Sequence, residues 1–318
     1  MEFIVINDLK SEDIQRGAAL TLEAYLEGFP EDVMKELELP SSFTYIRSSE
    51  FHPFMVRSEE DILILGNTTQ LNVNHAMWII NRCRYFKINF DYNFCAIRNP
   101  MIHNLAHQGV VEYKDDLGIY LKSTECRCDL QVGNVQASII KNAICNFFMS
   151  IGQMKEFKKV FPKIEGYVTH SCFDKKSLAT FKNYDNEKTK KTLIWNAPDY
   201  IKGAKNAIEY CEQNDLEYSL IDGVSHDEML RHMSEHERLV FMPNAWDTAP
   251  RLTIEAKMLG CDVITNENVQ HTDEFWWSQN KTGMHTFLSD IPRKFWWIVR
   301  NLGKKDEGFF SRSTGWGS

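Results

Sequence analysis

No run of this chain approaches the roughly 18 consecutive apolar residues that a membrane-spanning helix requires. The opening stretch MEFIVINDLKSED has no basic flank, and its apolar run is too short for a signal peptide, so a cytoplasmic location is expected. Positive charge is also in short supply: 44 acidic residues against 36 basic ones leave a net charge of −8. A surface that grips nucleic acid or anionic lipid all over is thereby excluded, though a local basic patch is not. Metal motifs are scarce as well. There is no HExxH pattern and no Asp-x-Asp pair, and Cys126 and Cys128 in ECRCD lack the second pair of a structural zinc site. No metal is therefore expected. Most of the eight cysteines lie within apolar segments, as reduced buried thiols do. His226, His232 and His236 in HDEMLRHMSEH read as decoration on a solvated helix.

What is present is an alternation of β-rich and helical segments along 318 residues, enough chain for two domains with separate cores. Strands are predicted at 2–8, 43–48, 61–67, 85–91, 118–123 and 166–171, and then at 192–196, 218–222, 238–243 and 262–266. Helical spacing marks NHAMWIINRC, ASIIKNAICNFFMSI, IKGAKNAIEYCEQN and RLTIEAKML. Strands apolar on both faces with helices between them indicate parallel sheets covered on both sides. KNYDNEKTKK (182–191) is polar and aperiodic, and predicts an interdomain linker. Two doubly wound, Rossmann-like domains would then face each other across a cleft at the carboxyl ends of their strands, where open α/β sheets bind ligands. An enzyme or ligand-binding protein is expected; a structural protein needs no cleft chemistry.

The most informative stretch is FMPNAWDTAPRLTIEAKMLGCDVITN, Phe241 to Asn266, an apolar strand, a polar elbow, a short helix and a second strand. Ile254, Met258, Leu259, Leu252 and Ala256 define the apolar arc of that helix, yet Arg251 and Glu255 fall inside it. Pro250 suits the first helical turn, and the free N–H groups there make an anion site. Arg251 could add a bidentate grip on phosphate, and Glu255, one turn deeper, could accept both hydroxyls of a ribose. Diphosphate at the helix start with ribose beyond it is the footprint of a nucleotide sugar. An i, i+4 ion pair at the core edge satisfies the same pattern.

This block resembles the retaining glycosyltransferases of family 4, which have the GT-B fold. In that family Pro-x-x-x-Glu leads through seven residues to a second Glu, then Ala-x-x-x-Gly-x-Pro-Val-Ile. Pro243, Asp247, Glu255, Ala256, Gly260, Val263 and Ile264 fill that frame, with Asp247 in place of the first Glu and Asp262 in place of the Pro. The resemblance implies that Asp247 holds hydroxyls of the donor sugar and Glu255 the ribose. Lys202-Gly203 in IWNAPDYIKGAKNAIEYC resembles the family's Lys-Gly element, so Lys202 would neutralise the leaving diphosphate. Ala197 stands where that family has Arg, and Arg251 would substitute for it. YFKINFDYNFCAIRNP resembles the strand end that faces the donor sugar: Asp91, Tyr92, Cys95 and Arg98 match, and Phe90 replaces a His. A turn or N-cap role also accommodates Asp91. DIQRGAAL resembles the glycine loop after the first strand, where Gly17 would let the backbone approach the ligand.

The resemblance implies an acceptor-side domain at 1–186, a donor domain at 187–284, and a helix and tail at 285–318 crossing back to the first domain. It further implies transfer from a UDP-sugar with retention, no metal cofactor, and domain closure that excludes water. The phrases DTAPR, EAKMLGC and TNENVQH resemble a subgroup of tailed bacteriophages and their hosts, where the acceptor would be a hydroxymethylated pyrimidine in DNA, flipped from its stack. For a phage gene the location would be the host cytoplasm. Basic clusters at Arg82, Arg84 and Lys87, at Lys155, Lys158, Lys159 and Lys163, and at Arg293, Lys294, Arg300, Lys304 and Lys305 could grip phosphates. The last includes Phe295, Trp296 and Trp297, which a helix packed on the first domain would equally use. A saccharide or lipid-linked acceptor is the alternative, and a non-catalytic nucleotide-sugar-binding module is another.

Overall fold

A computed structural model describes residues 2–9, 17–95, 97–108, 113–114, 120–121, 131–183 and 187–303. In the first domain, β1 (Phe3–Asn7) is followed by α1 (Gly17–Glu27) and α2 (Glu31–Glu36). Then come β2 (Phe43–Arg47), β3 (Ile62–Leu65), α3 (Val73–Arg82), β4 (Arg84–Asn89) and α4 (Pro100–His107). A two-residue pair, β5 (Tyr113–Lys114) and β6 (Tyr120–Leu121), precedes α5 (Gln131–Asn142), β7 (Cys145–Phe148), α6 (Ile151–Val160), β8 (Gly166–Val168) and α7 (Lys175–Asn183). The second domain runs β9 (Lys190–Trp195), α8 (Ala204–Gln213), β10 (Tyr218–Ile221), α9 (His226–Glu235), β11 (His236–Phe241), α10 (Arg251–Met258) and β12 (Asp262–Thr265). It ends in the long helix α11 (Lys281–Leu302).

The first sheet has six strands in the order β2-β1-β3-β4-β7-β8 and the second four in the order β10-β9-β11-β12, all parallel. In each, the chain steps outward once and then reverses, which creates a topological switch point beside the first strand. The strands are apolar on both faces because helices cover both; β1 and β3 are buried at every residue. Helix α11 returns to the first domain. Phe295 stacks on Tyr25 at 4.4 Å, and Trp296 packs edge-on against Phe29 at 4.8 Å while its Nε1 donates to the Tyr25 carbonyl at 2.7 Å. Two of the three tail aromatics are therefore core, and only Trp297 is exposed.

Four expectations need correction. ASIIKNAICNFFMSI is not one helix: α5 stops at Asn142 and Cys145–Phe148 form β7, the strand that pairs with β4. A fully buried strand and a buried helix are both apolar without period 2, so periodicity could not separate them. The linker is shorter than 182–191, since α7 reaches Asn183 and β9 begins at Lys190. Segment 118–123 adds no strand to the main sheet among its described residues; Tyr120–Leu121 pair antiparallel with Tyr113–Lys114. Lys87 is no surface cation either. It lies wholly buried in β4, where its Nζ donates to the Gly66 carbonyl and to Ile88 O at 3.2 Å, and burial pushes its pKa down to about 8. Arg84, in the same expected basic patch, donates to Gly303 O at 2.9 Å. Cys126, Cys128, Lys304, Lys305 and the segment preceding Gly17 lie outside the described residues. Among the described residues no cluster of potential ligands could hold a metal ion, and no helix is long and apolar enough to cross a membrane.

Candidate active site in the interdomain cleft

The carboxyl ends of the two sheets face a shared cavity of about 760 Å³. The elbow after β11 shapes one wall, and its backbone is pinned from several sides. Asn266 and Asn268 side chains both donate to the Pro243 carbonyl at 2.9 Å, and the Asp247 N–H donates to Asn268 O at 2.8 Å while its carbonyl accepts from Gln270 N at 3.0 Å. Two further bonds tie the elbow to the first domain: Thr248 Oγ1 to Phe90 O at 2.9 Å and Ser171 Oγ to Ala249 O at 2.8 Å. Pro250 occupies the N-cap of α10, one position before the first helical residue, so the free N–H groups of the first turn begin at Arg251.

Lys202 enters from the turn after β9. Asp199 caps that turn by accepting from Ile201 N at 2.9 Å, and Gly203 closes it at φ 66°. Only glycine fits there: a Cβ at Gly203 would stand 1.8 Å from the Met242 carbonyl oxygen. The turn thus brings Lys202 Nζ to 2.7 Å from Asp247 Oδ2, with side-chain exposures of 27% and 11%. Burial opposes the ammonium, but the charge and hydrogen bond of Asp247 outweigh it and raise the pKa of Lys202.

One helical turn into α10, Glu255 is buried at 3% exposure. Its Oε1 accepts from Arg251 Nε at 3.3 Å and meets His226 Nε2 at 2.9 Å. Burial alone would push the carboxyl up; the His226 hydrogen bond and the Arg251 charge overcome it and hold Glu255 below the usual carboxylate range. The Glu255 hydrogen bond correspondingly raises the pKa of His226. His226 is therefore not surface decoration. Neither is His236, which lies fully buried at the start of β11 with Nδ1 2.6 Å from His232 O. The helical pattern placed these histidines on α9 and its edge but carried no information about what packs there.

Arg251 forms the expected i, i+4 pair and also crosses to the first domain. Its Nη1 donates to the Cys172 carbonyl, and its guanidinium lies 4.1 Å from the centre of the Phe173 ring. The guanidinium expected to grip phosphate thus also serves as an interdomain strut, and its Nη2 is buried with no hydrogen-bond partner among the described residues. Gly17 opens α1, where an added Cβ would merely touch the Arg251 stem at 3.4 Å, an ordinary contact; space alone does not demand glycine there.

From the first domain, Asp91 forms an ion pair with Arg98, which holds a left-handed backbone at φ 59°. A non-glycine residue in that region costs about 1–2 kcal/mol. Tyr92 is buried and donates across the domain boundary to Gln270 Oε1 at 2.7 Å. Cys95 is sealed beside His103, Sγ to Nδ1 3.1 Å. The structure brings Gly17, Asp91, Tyr92, Arg98, Lys202, Asp247, Arg251 and Glu255 to the walls of one cavity. Sequence reasoning missed His226, and also Asp8 at the end of β1, whose Oδ2 accepts from Thr69 N at 3.0 Å and Thr69 Oγ1 at 2.6 Å. A lone aspartate at a strand's carboxyl end was the available signal for the latter.

No protein-family model matches the chain, and no curated protein matches it. Among solved structures, it aligns with Anabaena HepE in complex with UDP at 10% identity and a TM-score of 0.52, covering 95% of this chain and 93% of that one. The HepE complex with UDP and glucose gives a TM-score of 0.50 at the same identity and coverage. T4 phage BGT in complex with UDP-glucose aligns at 10% identity and TM-score 0.43 over 95% and 94% of the two chains. TarM aligns at 12% identity and TM-score 0.44 over 77% of this chain, which spans only 49% of TarM. These neighbours are GT-B glycosyltransferases, and the likeness to HepE over nearly the whole of both chains identifies the architecture of two facing parallel-sheet α/β domains as a GT-B fold.

Proposed function

We propose that the protein is a glycosyltransferase that moves a sugar from a UDP-sugar to an acceptor hydroxyl with retention at the anomeric carbon. The observation that carries this reading is the meeting of Lys202, Asp247, Glu255 and the N-terminus of α10 on one cleft between the two sheets. HepE, which shares the fold over its length, was solved with UDP and with UDP and glucose, which supports a uridine donor.

The chemistry follows from those groups. Breaking the bond from anomeric carbon to diphosphate builds positive charge on the ring and negative charge on the leaving oxygen. An arriving diphosphate draws the Lys202 ammonium from Asp247, and the N–H groups of α10 share the developing charge. Asp247, released, accepts from hydroxyls of the donor sugar, and Glu255 accepts from the ribose. Asp91 and Arg98 face the sugar from the other domain. The acceptor hydroxyl attacks from the side the diphosphate leaves, and its proton passes to a leaving phosphate oxygen. Protein cations and backbone stabilise the leaving group, so the reading requires no metal.

Two acceptors have support. The resemblance of DTAPR, EAKMLGC and TNENVQH to a phage subgroup favours a hydroxymethylated pyrimidine in DNA, with Lys155, Lys158, Lys159 and Lys163, all exposed, as candidates for phosphate contact. The cleft itself favours a neutral saccharide: Asp8, Asp91, Asp199, Asp247 and Glu255 outnumber Lys202, Arg98 and Arg251 among its lining residues. Thermal shifts against a panel of nucleotide sugars test the donor, and donor hydrolysis abolished by Asp247→Ala separates an enzyme from a binding module. A panel without any shift would overturn the reading. Acceptor binding that collapses between low and moderate salt indicates DNA; salt-insensitive binding indicates a saccharide.

A further inference from the structure

The geometry points to His226 as a positioning residue for the donor nucleoside: it holds one oxygen of Glu255 so that the other is presented to the ribose hydroxyls. This inference rests on the nucleotide-sugar reading above. Glu255 has two cationic neighbours, and both approach the same atom, Oε1. Among the described residues none donates a hydrogen bond to Oε2, which is not sealed from solvent, and Glu255 lines the cleft. A carboxylate with one oxygen anchored and one open is what a vicinal diol needs, because a fixed acceptor loses no rotamer freedom on binding.

Arg251 cannot do this alone. Its Nε lies at the long distance of 3.3 Å, and its Nη1 is committed to the Cys172 carbonyl. His226, at 2.9 Å, makes the shorter contact, and its backbone is fixed by the start of α9. There Ser225 and Glu228 form a reciprocal capping box: the Ser225 N–H donates to Glu228 Oε2 at 2.8 Å, and Ser225 Oγ accepts from Glu228 N at 3.3 Å. The charged groups that face the imidazole are Glu255 and Arg251 from α10 and Asp227 on its own helix. Glu255 dominates and favours the imidazolium, which must donate through Nε2. As pH rises through the elevated pKa of His226 the charge is lost, and the grip on Glu255 weakens.

The test uses the full chain, with UDP and 2′-deoxy-UDP as probes. Wild-type affinity for UDP should fall as pH rises above 6.5 through the elevated pKa of His226 and the imidazole deprotonates. His226→Leu should bind UDP about tenfold or more weakly, the size of one charge-assisted hydrogen bond, and with no such pH dependence. His226→Gln keeps a side-chain N–H donor that does not titrate, so it should recover much of the affinity with a flat profile. The His226→Leu penalty should shrink for 2′-deoxy-UDP, which lacks one of the two hydroxyls. An NMR titration of the His226 ring needs no nucleotide: the pKa should exceed 6.5 in the wild type and drop in Glu255→Gln. A His226→Leu variant that matches wild type in UDP affinity and pH profile overturns this inference alone. Wild-type protein that binds no nucleoside diphosphate overturns the donor reading and this inference with it.

Discussion

Replacing Lys202 with Met separates a structural clamp from a catalytic cation. The side chain keeps most of its length but loses the ammonium 2.7 Å from Asp247. The pair is neither a surface bridge nor a sealed one, with 27% and 11% of the two side chains exposed. Its loss should therefore fall between the roughly 0–1 kcal/mol of exposed pairs and the 3–5 kcal/mol of a broken buried pair, about 1–2 kcal/mol. For a protein with domains of this size that is a fall of several degrees in Tm, on the order of 2–4 °C per kcal/mol. The catalytic loss should be larger. One missing preorganised donor to developing negative charge costs about 10²–10³-fold in kcat, or about 3–4 kcal/mol. Turnover of whichever nucleotide sugar shifts the melting temperature, read as donor hydrolysis or transfer, is to be measured alongside a thermal melt. A variant that melts several degrees lower yet turns over within about threefold of wild type would falsify the assignment of Lys202 to the leaving group.

Other outcomes follow from the same geometry. Gly203→Ala combines a left-handed backbone with a clash against the Met242 carbonyl, and should cost about 3 kcal/mol or more, visible as a lowered denaturant midpoint; an unchanged midpoint contradicts the placement of the turn. Arg251→Ala leaves the Cys172 carbonyl without its donor and Glu255 with His226 alone, so destabilisation of about 3–5 kcal/mol is expected. Its UDP affinity should fall at least as far as that of Lys202→Ala, and unchanged affinity refutes a role for Arg251 in donor binding. Because the carboxyl of Glu255 is depressed, its stabilisation is present above about pH 4.5 and lost as pH falls through the lowered value. His226 is raised, so its share is present below about pH 6.5 and lost as pH rises through the elevated value. The Tm difference between wild type and Glu255→Gln should thus peak between those limits, and a difference that ignores pH would sink the pairing. Tyr92→Phe should loosen the domain contact by about 0.5–1.5 kcal/mol through the lost bond to Gln270, readable in the melt.

The sequence by itself determined the parallel α/β architecture and the two charges of the α10 helix. Both are local: apolar strands alternating with helices admit few arrangements, and Arg251 and Glu255 one turn apart are legible at any helix pitch. The run from Pro243 to Ile264 also announced an elbow, because proline and a polar loop between two strands leave little else. Local pattern could not decide which groups meet across the cleft. Lys202 and Asp247 are brought together over 45 positions by the left-handed turn at Gly203, and His226 reaches Glu255 from another helix. Lys87 looked like a surface cation until the strands on either side of β4 buried it. Strand β7 vanished into a helical pattern because burial on both faces erases the period that distinguishes the two. Periodicity records which face of an element is covered; only tertiary packing records by what.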